Sequence, residues 1–173
     1  MQIKIVMIGI LVACSYLIGE YIYKAYVKRH KQISELIRIL EVMRMDLSFG
    51  LYTLEEIFFR VGENKEFTTS KFFKDMSEDL KNENNITLEK MLENNFCYME
   101  KETYLQEKEL DELKKLILSL GRGDIYSQER MIDLSIENLK KLTSESKEDI
   151  NKKGVVYKKL STIIGLVIGI FLI

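Results

Sequence analysis

The sequence has no proline and no tryptophan, a single histidine and only two cysteines. Without proline the strongest helix breaker is missing, and a chain rich in Leu, Ile, Glu and Lys then favours helix along most of its length. One histidine, His30, with no cluster of Cys, Asp or Glu beside it, does not make a zinc ligand set. Cys14 and Cys97 do not form a disulfide framework, which suits a cytoplasmic domain. Cys97 has no histidine near it and reads as a small core-facing thiol, not a nucleophile. A Gly-x-x-x-x-Gly-Lys phosphate loop is also absent. Charge of one sign is not in excess: the formal net charge is −1, which gives no reason to expect nucleic acid as a partner. Acidic pairs such as Glu55-Glu56 and Asp111-Glu112 read as solvated helix faces. No catalytic constellation can be assembled from these residues, so neither an enzyme nor a cofactor is expected.

Two apolar runs stand at the ends. From Ile3 to Tyr23 the only charges are Lys4 and Glu20. About 20 apolar residues rising 1.5 Å each cover the roughly 30 Å of a bilayer's hydrocarbon. Lys24, Lys28, Arg29, His30 and Lys31 follow at once, and such a cation cluster stays on the cytoplasmic side. Tyr16, Tyr21, Tyr23 and Tyr26 sit where amphipathic rings favour the membrane interface. A cleaved signal peptide would need a polar exit with small residues at the cut, and none follows the run. Leu11-Val12-Ala13-Cys14 also spells a lipoprotein processing site with Cys14 acylated, but Tyr16-Leu17-Ile18-Gly19 stays apolar past the cysteine. The uncleaved anchor is therefore the better reading.

At the other end Leu160 to Ile173 is apolar, flanked by Lys152-Lys153 and Lys158-Lys159. Counting Val155, Val156 and Tyr157, with the lysines reaching toward headgroups, the run nearly suffices for a span. Both ends thus predict two anchors, 1–27 and 151–173, around a cytoplasmic helical domain at 28–150. Gly9 with Ala13, and Gly165 with Gly169, are small-xxx-small pairs that would let membrane helices approach closely. They could join the two anchors to each other or to a neighbour, which leaves a homo-oligomer open.

The middle reads as a succession of amphipathic helices. Ile33, Leu36, Ile37, Leu40, Met43 and Leu47 share one face, continuous with the first anchor, until Gly50 turns the chain. Thr53 with Glu56 is a capping box for a short helix holding Ile57, Phe58 and Val61. Phe67, Phe72, Phe73, Met76 and Leu80 mark a third helix, capped by Thr69 or Ser70. Thr87 starts a fourth, which Asn94-Asn95 should weaken or end. Leu110, Leu113, Leu116, Ile117 and Leu120 make the fifth, with the cleanest spacing in the chain. Gly121-Arg122-Gly123-Asp124 interrupts it, and Asp124 or Ser127 caps the sixth helix, which carries Ile125, Ile132, Ile136, Leu139 and Leu142. Thr143 to Asp149 is polar all round, a solvated helical stalk in preference to a linker.

Leu120-Gly121, Asp124, Gln128 and Leu134 resemble the signature turn of the stage III sporulation protein AB family. Leu40-Glu41, Leu47, Gly50 and Leu54 resemble its first cytoplasmic helix and glycine turn, without the proline expected after that turn. The resemblance implies an all-α, membrane-anchored antiparallel bundle of about six helices, like the cytoplasmic domain of type II secretion F proteins. It implies an inner-membrane platform in the complex linking mother cell and forespore during endospore formation. A secretion-type sporulation ATPase and other channel components would be the partners, and Gly121, Asp124 and Gln128 would belong to the ATPase-facing surface. Capping chemistry alone would also account for that turn. A membrane-tethered sensor or regulator that recruits another cytoplasmic protein is the alternative function.

Overall fold

The computed structural model describes residues 2–50, 52–82, 87–120 and 124–171, with side chains from Val6 onward. Among these residues the chain is helical with turns and no strand. The helices are α1 (Gln2–Ser48), α2 (Leu54–Glu63), α3 (Ser70–Lys81), α4 (Leu88–Glu102), α5 (Glu107–Leu120), α6 (Ile125–Asp149) and α7 (Val155–Phe171). A π-helical turn, Ile150–Gly154, joins α6 to α7 without a break, so the seven helices make six rods. Two compact units result: residues 1–30 with 144–173, and residues 31–143.

The 31–143 unit has an ordinary apolar core. The α1 stripe expected from its spacing is buried at Ile33, Leu36, Leu40, Met43 and Leu47, and Ile39 joins it. Phe58, Phe72, Phe73 and Phe96 meet edge to face, with centroids 5.1–5.6 Å apart, the arrangement that aromatic quadrupoles favour. Gly62 lets α2 lie against α3, since a Cβ there would be 2.7 Å from the backbone of Lys74. The α5 stripe (Leu113, Leu116, Ile117 and Leu120) and Ile132, Ile136 and Leu139 of α6 complete the core.

The turns follow local chemistry in part. Gly50 takes φ +62°, the left-handed conformation that suits glycine after a helix. Thr53 accepts from the Glu56 amide while Glu56 accepts from the Thr53 amide, a complete capping box. Thr87 caps α4. At α3 the expectation fails: neither Thr69 nor Ser70 caps with its side chain. Glu35 of α1 does so instead, accepting from the Thr69 amide at 3.2 Å and the Thr68 hydroxyl at 2.9 Å.

Asn94-Asn95 does not end α4 either. Asn95 donates to the Met91 carbonyl one turn back and to Asp79 of α3, so the helix runs on to Glu102. Cys97 is exposed on α4, not core-facing. The buried face of that helix is taken by Met91, Leu92, Phe96 and Met99. Glu112 is not simply solvated, since it accepts from Ser135 and Asn138 of α6, and Glu56 is committed to its cap.

Candidate functional site

The turn before α6 is built by capping. The Asp124 carboxylate accepts from the Ser127 amide at 2.8 Å, and the Asp124 carbonyl accepts from the Gln128 amide. Hydrogen bonds from the Ser127 side chain and backbone hold the Asp124 carboxyl below the usual aspartate value. Asp124 is exposed and Gln128 is half-buried. Gly121 lies outside the described residues. The α1 turn comes to the same corner, with Ile125 in van der Waals range of a Cβ built on Gly50. The two turns whose residues carry the family resemblance are therefore neighbours in space. Phe49 and Tyr126, 66% and 83% exposed, project from this corner into the open.

The second candidate is the seam between the two ends of the chain, inside the 1–30/144–173 unit. Here α1 and α7 run antiparallel. A Cβ on Gly165 would fall 2.6 Å from Ser15, one on Gly169 3.0 Å from Ile8, and one on Gly19 3.0 Å from the Lys158 carbonyl. Gly165 and Gly169 are both buried. Gly9 has open space where its side chain would be, and Ala13 is exposed. The packing face of α1 is thus Ile8, Val12, Ser15 and Gly19, one step round from the pair expected. Ser15 and Gly19 are also four residues apart, so the same small-xxx-small signal could have found them.

Charges line the seam beyond the glycines. Lys158 pairs with Glu20 at 2.6 Å and lies over the rings of Tyr23 and Tyr16. Gly154 in the π turn is buried against Tyr23 and Tyr26. Arg29, only 4% exposed, donates to Asp149 at 3.1 Å. The His30 Nδ1 lies 2.7 Å from the hydroxyl of Ser146, itself 1% exposed. A hydrogen bond from Lys153, reinforced by Arg29, holds the Asp149 carboxyl below its ordinary value. The polar stretch after Leu142 is helical as expected, yet it is not solvated all round. It offers partners to the basic knot that follows the first apolar run.

The large apolar side chains of these end helices face outward. Leu17, Ile18, Ile163, Leu166 and Val167 are each half exposed or more. Both rods are long and apolar enough to cross a membrane. Among the described residues no group of His, Cys, Asp and Glu could hold a metal ion.

Comparison with known proteins agrees with the family resemblance. The family model described as stage III sporulation protein AB matches residues 4–173. A solved structure titled stage III sporulation protein AB aligns with TM-score 0.64 at 20% identity, covering 71% of this chain and 96% of its own; at that identity it speaks for the fold. No curated protein matches. With a family match over nearly its whole length, on a helical frame shared with that structure, the chain belongs to the stage III sporulation protein AB family.

Proposed function

We propose that this chain is a two-pass membrane protein whose 31–143 unit works in the mother-cell cytoplasm as a non-enzymatic platform during endospore formation. Its partner there is a secretion-type sporulation ATPase, and it transmits the ATPase's movement to other components of the channel without making or breaking bonds itself. The observation that carries the membrane part is the inverted packing of the end helices, with glycines inside and large aliphatic side chains outside. Lipid removes the drive to bury apolar side chains, so helices there pair through small residues. Lys24, Lys28 and Lys31 after the first span, and Lys152 and Lys153 before the second, favour the cytoplasmic side for the middle.

The corner of Asp124, Gln128 and the exposed Phe49 and Tyr126 is the ATPase-docking surface. Membership of the sporulation family supports that reading, and so does the exposure of large apolar groups on a turn.

Two measurements test the proposal. Protease added outside intact cells should leave the middle unit uncut; digestion there would invert the topology and remove the platform. Tyr126→Ala should abolish co-purification of the ATPase while the melting curve of the full chain stays put. Retained co-purification would overturn the corner as the docking site. Recovery of a different cytoplasmic protein, with no ATPase, would favour the sensor or regulator reading.

A further inference from the structure

Helices α4 and α5 enclose an open groove of about 550 Å³. Glu93 and Glu100 line it from α4, Glu107 and Asp111 from α5, with Lys114 the one cation on its walls. Spacings of seven and four residues put each pair on one helix face. The floor is apolar, formed by the buried Phe96 and Leu110.

Elsewhere in this unit Asp133 pairs with Arg44, Asp46 with Arg60 and Glu63 with Lys74. Among the described residues the four groove carboxylates have no ion-pair partner. An apolar floor between two rows of unneutralised carboxylates is complementary to one kind of surface, an apolar ridge flanked by cations.

We infer that the α4–α5 groove docks a cationic amphipathic helix of a partner protein. Glu93 and Glu100 stand about 10 Å apart along their helix axis, two turns. A partner helix with Lys or Arg repeated every two turns meets both walls, and its apolar stripe covers Phe96 and Leu110. The groove occupies the first half of α5, whereas the corner follows the last residue of that helix. The inference therefore does not depend on the ATPase reading.

Cys97, exposed on the groove wall, supplies the readout. The full chain carrying Cys14→Ser, in nanodiscs of zwitterionic lipid, has Cys97 as its remaining thiol. Its maleimide labelling is followed as a synthetic Lys/Leu amphipathic helix is added. The expected result is at least about tenfold slower labelling at low salt, reversed by salt as ionic screening requires. A Glu/Leu helix of the same length, and calcium alone, should leave the rate unchanged.

Glu100→Lys combined with Asp111→Lys, both at exposed positions, should abolish the protection without changing the helical circular dichroism. No protection by the Lys/Leu helix overturns the inference, as does equal protection by the Glu/Leu helix or in the charge-reversed chain. In sporulating cells, a photoreactive amino acid in place of Cys97 should capture a Lys/Arg-rich helical segment of another protein. Capture of an acidic or neutral segment, of a second copy of this chain, or of nothing overturns it as well.

Discussion

The two units solve opposite packing problems with the same kind of helix. In residues 31–143 the large apolar side chains are inside: Phe58, Phe72, Phe73, Leu92 and Met99 are buried completely. In residues 1–30 with 144–173 the inside is glycine, serine and paired charge, and the large aliphatic groups face out. Water drives the first arrangement, since burying apolar area is its main source of stability. If the second lies in lipid, as proposed, it gains little from hiding aliphatic groups. It depends on close backbone approach and on satisfying Arg29, Glu20 and Lys158 with partners across the seam. Truncating a large apolar side chain should therefore cost far more in the first unit than in the second.

The largest effect is expected in the aqueous core. Phe58→Ala removes a ring with no exposure that sits edge-on to Phe73, and should cost about 3–5 kcal/mol in chemical unfolding of the full chain. Ile163→Ala, a comparable truncation on the outward face of α7, should hardly move the same curve. If Ile163→Ala cost as much as Phe58→Ala, the contrast between the units would fail.

Next comes overpacking of the seam. Gly165→Leu puts a side chain where Ser15 already stands and should cost up to about 3 kcal/mol. It would be read as lost cross-linking between cysteines introduced at positions 8 and 169. Gly9→Leu, with open space around it, should leave that cross-link intact. This pair separates a packed seam from two helices that merely lie in one bilayer.

Asp149→Asn should be milder. Arg29 is nearly buried and loses a charged acceptor, at a cost of about 2 kcal/mol. Because folding depresses the Asp149 carboxyl, its contribution is fully present above the ordinary aspartate value. It is lost as pH falls through the lower folded value. The wild-type chain should lose seam stability in acid, and the Asp149→Asn chain should lose less of it over the same range.

The smallest effect belongs to Asp124→Ala, which removes an exposed cap from α6. It should lower the melting temperature slightly above about pH 4 and by less well below it, since the carboxyl is depressed by its bonds to Ser127. A pH-independent loss would mean that the charge of the carboxylate adds nothing to the cap.

Much of the middle unit was legible because its signals are local. Thr53 and Glu56 lie three residues apart and close their own capping box. Ile33, Leu36, Leu40 and Met43 recur at helical spacing and are buried together. The misreadings concern polar residues whose partners sit on other helices. Glu35 caps a helix that begins 35 residues later, and Asn95 is retained in α4 by Asp79 as well as by its own turn. Propensity judges Asn by its own neighbourhood, where it competes with the helix; a partner on α3 reverses that. Cys97 was misjudged for a related reason: residue type suggested burial, but its position on α4 falls on the outward face. At the corner, Asp124 as a cap could be read directly. The approach of the Gly50 turn to Ile125 could not.

By itself the sequence determined that α2, α4 and α6 start at Thr53, Thr87 and Asp124 caps, which stretches are apolar enough to span a bilayer, and that glycine is needed after α1. Each of these rests on hydrogen bonds and periodicities that reach no further than a turn or two. Tertiary structure alone decided that Ser15 and Gly19, not Gly9 and Ala13, form the seam, and that Arg29 is matched with Asp149 from 120 residues away. A helix carries several stripes of small or charged residues, and its own backbone is indifferent among them. The choice belongs to the surface that a second helix presents.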